Sequence, residues 1–154
     1  MVSVLFVCLG NICRSPLAEA AFRREAERLG LDAKAASAGT GDWHVGKRAH
    51  SRAIAAAARN AVDISSHRAR QVALRDFRDF DHIVAMDGEN LRNLRRLQPP
   101  DATATLSLLF DHVEGREGEA VADPYYGEAG HFEVTWRDVE QGARALARKL
   151  AAQA

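Results

Sequence analysis

The N-terminal part of the chain changes from a short apolar run to an amphipathic stretch. Val4–Cys8 is continuous, apolar and rich in β-branched and aromatic residues, which predicts a central parallel strand buried on both faces. The run stops at Gly10, and a helix is predicted from Ser15 onward, with Pro16 at its first position and Gly30 just past its end. Apolar residues recur on one side of this helix: Leu17, Ala18, Ala21, Phe22, Ala26 and Leu29.

Three more short apolar runs predict further strands. They are Ala33–Ala38, His82–Met86 and a segment within Thr103–Leu109. Because amphipathic stretches separate them, the chain is predicted to be an α/β protein with a four-stranded parallel sheet flanked by helices. Ligands of such sheets bind at the carboxyl ends of the strands, so the loop after the first strand is the expected site.

The remaining helices follow from the same periodicity. Ser51–Ala61 is predicted to be helical, with Ile54, Ala57, Ala58 and Ala61 as its apolar side. A short helix around Glu89–Leu97 should end before Pro99-Pro100. A long amphipathic helix closes the chain, with these apolar positions at spacings of three and four: Trp136, Val139, Ala143, Leu146, Ala147 and Leu150.

Composition restricts the class of protein. The 154 residues suit one domain, expected to span 1–154, because roughly 100–200 residues make a domain. Lys and Arg total 21, as do Asp and Glu, so no bulk charge favours nucleic acid or an anionic membrane, and neither is expected as a partner. A monomer is expected. The N-terminus has no basic stretch before its apolar run, and the only two cysteines lie close together, which predicts a reducing cytoplasm rather than a disulfide scaffold.

The loop between the first strand and the first helix has the features of a phosphate site. Backbone N–H groups there can converge on an anion, the helix dipole favours negative charge, and Gly10 and Asn11 tolerate left-handed backbone angles. The guanidinium of Arg14 can add a planar bidentate contact. The predicted phosphate-binding residues are Leu9, Gly10, Asn11, Ile12, Cys13, Arg14 and Ser15.

Cys8 is the predicted nucleophile of this loop. It stands where the N–H donors point, which stabilises its thiolate, and a thiolate can attack phosphorus while the donors and Arg14 hold the equatorial oxygens. The alternative is that Cys8 is a small buried hydrophobic residue that ends a strand. The spacing to Arg14 and the helix start at Ser15-Pro16 favour the nucleophile.

The leaving group of such an attack needs a proton, so an acid is expected elsewhere. Asp123 is the candidate, because the residue before Pro124 is held extended and Gly127 permits a turn. Asp-Pro is also a common start of an ordinary turn, and that interpretation stays open on the segment alone.

Two motifs are similar to those of the low-molecular-weight protein tyrosine phosphatases: Cys8-Leu9-Gly10-Asn11-Ile12-Cys13-Arg14-Ser15-Pro16 and Asp123-Pro124-Tyr125-Tyr126-Gly127. The length of the chain and three shorter segments, Ser37–Thr40, Ser66–Gln71 and Met86-Asp87, also match. The resemblance implies a flavodoxin-like three-layer sandwich. It also implies hydrolysis of phosphotyrosine through a phosphocysteine on Cys8, with Arg14 binding phosphate, Asp123 as acid and then base, and no metal or cofactor.

The same resemblance implies roles for other positions. Asn11 and Ser15 would hold the loop and support the Cys8 thiolate, with Ser37 and His67 as an outer polar network, although His67 alone would pass for a surface histidine. Cys13 would be the redox partner of Cys8. The residues implied at the rim of the site are Trp43, Tyr125 and Tyr126. Trp43 could instead cap the edge of the core.

Other functions account for these residues less well. Gly41–Arg48 has the glycine and lysine spacing of a nucleotide-binding loop, but Arg48 replaces the Ser or Thr that would bind Mg²⁺. Arsenate reductases of the same fold use further cysteines, and this chain has none after Cys13. Protein-arginine phosphatases carry Thr where Ile12 stands, and a phosphate-binding or phosphocarrier module needs no acid such as Asp123. The expected partners are phosphotyrosyl proteins, with a tyrosine kinase among the candidates.

Overall fold

Four parallel strands form the centre of the protein in a computed structural model that describes every residue from Met1 to Ala154. The strands are β1 Val2–Cys8, β2 Ala33–Gly39, β3 His82–Ala85 and β4 Thr105–Leu108. Their order across the sheet is β2-β1-β3-β4. β1 pairs with a neighbour on each side, and helices cover its side chains on both faces, as its unbroken apolar run predicts.

The helices form one layer on each face of the sheet. They are α1 Arg14–Leu29, α2 Ser51–Arg59, α3 Asp76–Asp79, α4 Gly88–Leu97 and α5 Ala129–Gln153, with a 3₁₀ turn at Leu109–His112. Val4, Phe6 and Cys8 belong to the core shared with α1, α2 and α5. Leu5 and Val7, on the opposite face, belong to the core shared with α3 and α4. The predicted α/β fold with a four-stranded parallel sheet is confirmed.

None of these helices combines the length and the apolar character that a membrane span requires.

Three details of the sequence prediction were wrong. Pro16 is the third residue of α1, not the first, although its missing N–H still falls in the turn that has no partners. The buried side of α2 is formed by Ala53, Ala56 and Ala57. Ala58 and Ala61 are exposed, because a run of alanines has no large side chain that marks one face. The short helix α3 and the 3₁₀ turn were not predicted.

The strand order places one loop at the best position for a ligand. From β1 the chain passes to β2 on one side of it and then to β3 on the other. Such a reversal opens a crevice at the carboxyl end of the sheet. The segment Cys8–Ser15 lies there, between the end of β1 and the first turn of α1. The fold thus puts the N–H groups of this loop and of the helix start on one crevice.

A half-buried histidine, His112, makes the stability of the fold depend on pH. Lys149 Nζ donates to His112 Nδ1 at 2.9 Å, so His112 Nε2 donates to Ser107 Oγ, also at 2.9 Å. Burial and the neighbouring Lys149 lower the pKa of His112 to about 4, against a weaker opposing effect of Asp111. The neutral imidazole is therefore the form that the native protein holds.

We expect the free energy of unfolding to fall as the pH drops from about 6.5 towards 4, because His112 binds a proton in the unfolded chain but stays neutral in the native protein. After allowance for partial exposure, the loss is about 1–2 kcal/mol. Urea denaturation of the native chain and of His112→Gln at several pH values measures it. The variant should show a shallower slope over this range, and equal slopes in both proteins would contradict the assignment to His112.

Candidate active site

The Cys8–Ser15 loop wraps tightly around the sulfur of Cys8. Asn11 has a φ of 58°, in the left-handed region that asparagine tolerates, whereas Gly10 is not in that region, contrary to the prediction. This conformation of Asn11 turns its backbone N–H inward, where it donates to Cys8 Sγ at 3.3 Å. Cys8 is almost fully buried at the base of the crevice. The predicted nucleophile is therefore held by its own loop.

The side-chain amide of Asn11 has only one possible orientation. The backbone N–H of Arg70 can only donate, and it donates to Asn11 Oδ1 at 3.0 Å. Asn11 Nδ2 must then point the other way, where it donates to Ser15 Oγ at 2.8 Å and to Ser37 Oγ at 3.0 Å. The amide is completely buried. Three of the predicted supporting residues thus form one network behind the loop.

This network determines where the Ser15 hydroxyl proton goes. Ser15 Oγ already accepts from Asn11 and lies 3.0 Å from Cys8 Sγ, so its own proton is free to donate to the sulfur. His67 adds a constraint from outside, because its Nε2 lies 2.7 Å from the carbonyl oxygen of Asn11 and must donate to it. The sulfur therefore faces two donors, the Asn11 N–H and the Ser15 hydroxyl, and both favour a thiolate.

Arg14 is anchored by hydrogen bonds at one end of its guanidinium, and no hydrogen bond holds the other end. Its Nη1 donates to Asp87 Oδ2 at 2.7 Å and to the carbonyl oxygen of Val121 at 3.0 Å. Its Nε is buried without a hydrogen-bond partner. Burial opposes the charge, but the negative charges of Cys8, Asp123 and Asp87 outweigh it and raise the pKa of Arg14 above its ordinary value. A charged donor is thus fixed beside Cys8 with N–H groups left over for an anion.

Asp123 stands at the edge of the same crevice. Its Oδ2 lies 3.6 Å from Arg14 Nη2, and its Oδ1 accepts from the backbone N–H of Tyr125 at 3.1 Å. The loop is fastened at both ends of this turn, because Val121 donates to the carbonyl oxygen of Met86 and Gly127 to that of Pro124. The carboxyl is 43% exposed, which allows it to exchange protons with water. The predicted acid and the predicted nucleophile therefore share one pocket.

Aromatic side chains surround the entrance of this pocket, which has a volume of about 420 Å³. Trp43 is 65% exposed and lines the opening, so it does not cap the edge of the core. The rings of Tyr125 and Tyr126 meet edge-on with centroids 4.8 Å apart. The lining residues are Cys8, Leu9, Gly10, Ile12, Cys13, Arg14, Trp43, His44, Asp123, Tyr125 and Tyr126. The walls accept a flat, apolar group.

The second cysteine differs from the first in its surroundings. Burial and the negative charges of Cys8 and Asp123 raise the pKa of Cys13 far above its ordinary value. Both thiols are buried and neither forms a disulfide in this structure. Cys13 is therefore a neutral thiol beside the sulfur that receives the donors. No group of three or more His, Cys, Asp or Glu side chains anywhere in the structure could hold a metal ion.

Three contributors to the site were missed from the sequence. Asp87 holds Arg14 and also caps α4, where its side chain accepts from the N–H of Asn90. Val121 contributes a carbonyl oxygen, which no sequence pattern reveals. Gly39 ends β2 beside the loop. The position of Asp87 directly after a buried strand was a usable signal, since the carboxyl ends of parallel strands share one edge.

Gly39 is required by the close approach of the phosphate-binding loop. A Cβ added there would lie 2.8 Å from the carbonyl oxygen of Leu9 and 3.2 Å from the backbone nitrogen of Asn11. Both neighbours are backbone atoms, so relief of the clash must move the loop itself. Glycine at this position therefore fixes the distance between β2 and the loop.

We expect Gly39→Ala to lower kcat/KM for aryl phosphates by about 10²-fold, because small displacements of the loop misplace its donors. It should also destabilise the protein by about 1–3 kcal/mol, as overpacking does. Gly130→Ala, in the exposed first turn of α5, is a matched control for the activity measurement, because its φ is outside the left-handed region and nothing lies within 4 Å of its added Cβ. Unchanged turnover by a folded Gly39→Ala protein would contradict this explanation.

The nucleotide-loop alternative for Gly41–Arg48 does not fit the structure. The N–H of Gly46 donates to the carbonyl oxygen of Ala69, and that of Lys47 donates to His44. The N–H of Val45 donates to the carbonyl oxygen of Asp42. These three N–H groups already donate to carbonyl oxygens of the protein, so they are not available to bind a phosphate. Instead it carries Trp43 and His44 to the entrance of the pocket.

Comparison with known proteins gives a consistent result. Residues 3–154 match the family model described as low molecular weight phosphotyrosine protein phosphatase. A phosphatase of that name from Schizosaccharomyces pombe is 45% identical over 134 residues, which cover 85% of each chain. The crystal structure of a protein tyrosine phosphatase from Entamoeba histolytica superposes with a TM-score of 0.93 at 32% identity, over 99% of both chains.

The solved structure of an enzyme that is named for a different substrate is also similar to this chain. A Drosophila arginine phosphatase superposes with a TM-score of 0.89 at 31% identity, over 96% of both chains. The fold is therefore shared by enzymes that are named for different substrates, and substrate choice has to come from the pocket walls. With a family model that matches nearly its whole length, this chain belongs to the low molecular weight phosphotyrosine protein phosphatase family.

Proposed function

We propose that the protein hydrolyses phosphotyrosine on proteins, and small aryl phosphates, through a phosphocysteine on Cys8. One observation carries the proposal. Cys8 Sγ accepts from the Asn11 N–H and neighbours the Ser15 hydroxyl, beside a buried arginine whose Nε has no partner. Those donors suit a thiolate and a phosphoryl group at once, because both are anions that need the same N–H groups.

In the first step the Cys8 thiolate attacks phosphorus. A P–S bond forms as the bond from phosphorus to the ester oxygen breaks, and the departing oxygen takes a proton from Asp123. Charge on the equatorial oxygens is held by the loop N–H groups and by Arg14 Nε and Nη2, which are free of the Nη1 anchor on Asp87 and Val121. The anchored end keeps the guanidinium plane in place while its other end binds.

In the second step water replaces the sulfur. The Asp123 carboxylate, now deprotonated, takes a proton from water, whose oxygen attacks phosphorus and releases inorganic phosphate and the Cys8 thiolate. The donors on Cys8 Sγ make the thiolate a good leaving group, since they stabilise its charge. Asp123 regains the proton that it lost and the site returns to its first state.

An aryl substrate fits the pocket walls better than a guanidino one. Ile12 is buried and lines the pocket with an apolar surface, and Trp43 and Tyr125 supply flat walls at the entrance. A tyrosine ring gains from such contacts, whereas a polar guanidinium would lose hydrogen bonds to water there. We therefore propose phosphotyrosyl proteins as substrates, with a tyrosine kinase as the enzyme that makes them.

We propose Cys13 as the redox partner of Cys8 and the cytoplasm as the location of the enzyme. An oxidant of the peroxide class converts the Cys8 thiolate to a sulfenic acid, and the Cys13 thiol then displaces water to form a disulfide that cellular thiols reduce. Both cysteines line the same pocket, which supports this pairing. A reducing compartment keeps Cys8 in its reactive form.

A substrate panel tests the proposed function. The native chain is incubated with p-nitrophenyl phosphate and with phosphotyrosyl, phosphoseryl and phosphoarginyl peptides, each with and without EDTA. We expect hydrolysis of the aryl phosphate and the phosphotyrosyl peptide, at the same rate with the chelator. Preference for the phosphoarginyl peptide would establish the alternative specificity, and failure to release phosphate from any substrate would favour a binding module.

A further inference from the structure

A second depression lies beside the active-site pocket, outside the catalytic residues. It has a volume of about 340 Å³ and lies between the 40–43 segment and α4. Its walls include Leu9, Thr40, Gly41, Trp43, Arg96 and Leu97. Leu9 and Trp43 also line the active-site pocket, so these two side chains form a ridge between the two depressions. We refer to the second depression as the α4 groove.

The ridge is held firmly to the phosphate-binding loop. Gly41 donates its N–H to the carbonyl oxygen of Leu9 at 2.9 Å, and Thr40 donates to that of Cys8 at 3.0 Å. The ring of Trp43 lies directly on Gly41, since a Cβ there would be 2.0 Å from the ring. The α4 groove therefore keeps a fixed position relative to Cys8, which a binding subsite requires.

The walls of the groove expose large hydrophobic side chains to solvent. Leu9, Trp43 and Leu97 are 40%, 65% and 42% exposed, although each is a large hydrophobic side chain. Thr40 adds a buried hydroxyl that has no hydrogen-bond partner in the structure. An exposed apolar patch of this kind is typical of a binding site.

The charge at the groove is positive and unpaired. The guanidinium of Arg96 bonds only to the neutral amide of Asn93, at 3.0 Å. Arg96 forms no ion pair with a carboxylate. In a chain whose total charge is zero, Arg96 is therefore an uncompensated positive charge on the wall of the groove. It complements a carboxylate on the partner.

We propose that the α4 groove binds the residues that flank phosphotyrosine in the substrate, and selects an apolar residue with an acidic neighbour. The proposal rests on the proposed function, because it takes the phosphorylated ring to occupy the adjacent pocket. An extended chain advances about 3.3 Å per residue, so a residue one or two positions from the phosphotyrosine reaches across the ridge. Its apolar side chain packs on Leu9 and Leu97, and its acidic neighbour pairs with Arg96.

The experiment compares phosphotyrosyl peptides that differ only in their flanks. One pair carries Leu-Glu before or after the phosphotyrosine, and a second pair carries Ser-Lys at the same places. The measured quantity is kcat/KM for each peptide divided by kcat/KM for p-nitrophenyl phosphate. Proteins are the native chain, Arg96→Glu and Arg95→Glu, the last being a control with the same charge change on an exposed residue of α4 outside the groove.

For the native chain we expect a ratio about five times higher with Leu-Glu than with Ser-Lys flanks in at least one of the two positions, as a charge pair and a small apolar contact would give. Arg96→Glu should remove that preference, and Arg95→Glu should keep it. A flat ratio in the native chain, or an equal effect of both variants, would overturn the groove assignment. Absence of activity on every phosphotyrosyl peptide and on p-nitrophenyl phosphate would instead reject the proposed function.

Discussion

Replacement of Cys8 by serine should lower the hydrolysis of p-nitrophenyl phosphate on the order of 10⁴-fold or more. The Asn11 N–H and the Ser15 hydroxyl stabilise a thiolate at this position. A serine hydroxyl is a far weaker acid than a thiol, and no side chain near Cys8 is arranged to take its proton. The variant therefore keeps the site and loses the nucleophile.

The measurement needs evidence that the variant is folded. Circular dichroism and the melting temperature should match the native chain within a few degrees, because the two side chains have nearly the same shape. Binding of inorganic phosphate, measured by calorimetry, should persist, since Arg14 and the backbone N–H groups are unchanged. A folded Cys8→Ser protein that keeps more than a few per cent of native turnover would remove Cys8 as the nucleophile.

Asp123→Asn should affect substrates according to their leaving groups. Asparagine keeps an oxygen for the N–H of Tyr125, so the turn persists and only the proton is lost. A phenolic oxygen such as that of phosphotyrosine must be protonated as it leaves, and its kcat/KM should fall by about 10²–10⁴-fold. For p-nitrophenyl phosphate, whose leaving group tolerates a negative charge, the fall should be at least tenfold smaller.

The constant kcat/KM is the right quantity here, because it reports the steps up to the first irreversible one and excludes the later attack of water. Loss of the base should appear separately, as a burst of p-nitrophenol followed by slow turnover. Equal losses of kcat/KM for both substrates would show that Asp123 is not the acid. Asp101→Asn, an exposed carboxylate of a surface ion pair, is a control for general effects of lost charge.

The site residues that could be predicted from the sequence are those that lie close to one another along the chain. Four of them lie within eight consecutive residues that link a strand to a helix, so their proximity follows from short-range geometry: Cys8, Asn11, Arg14 and Ser15. The apolar run of β1 likewise determines its central place in the sheet. The fold and the phosphate loop are therefore predictable from the sequence alone.

The residues that were missed depend on contacts between distant parts of the chain. Asp87 is 73 positions and Val121 is 107 positions from Arg14, and only the packed sheet brings them together. Gly39 matters because of what approaches it, which its own neighbours in sequence do not reveal. The apolar side of α2 was misjudged for a different reason, since alanines lack the size to distinguish one face of a helix from another.

The two hydrogen bonds of Arg14 Nη1 make the activity of the enzyme depend on completion of its fold. The guanidinium joins the loop after β1, the start of α4 and the segment that carries Val121 and Asp123, which come from three distant parts of the sequence. No fragment or partly folded intermediate that lacks one of them can hold the guanidinium in place. Recovery of turnover during refolding should therefore coincide with completion of the native state, later than the appearance of helix or of collapsed core.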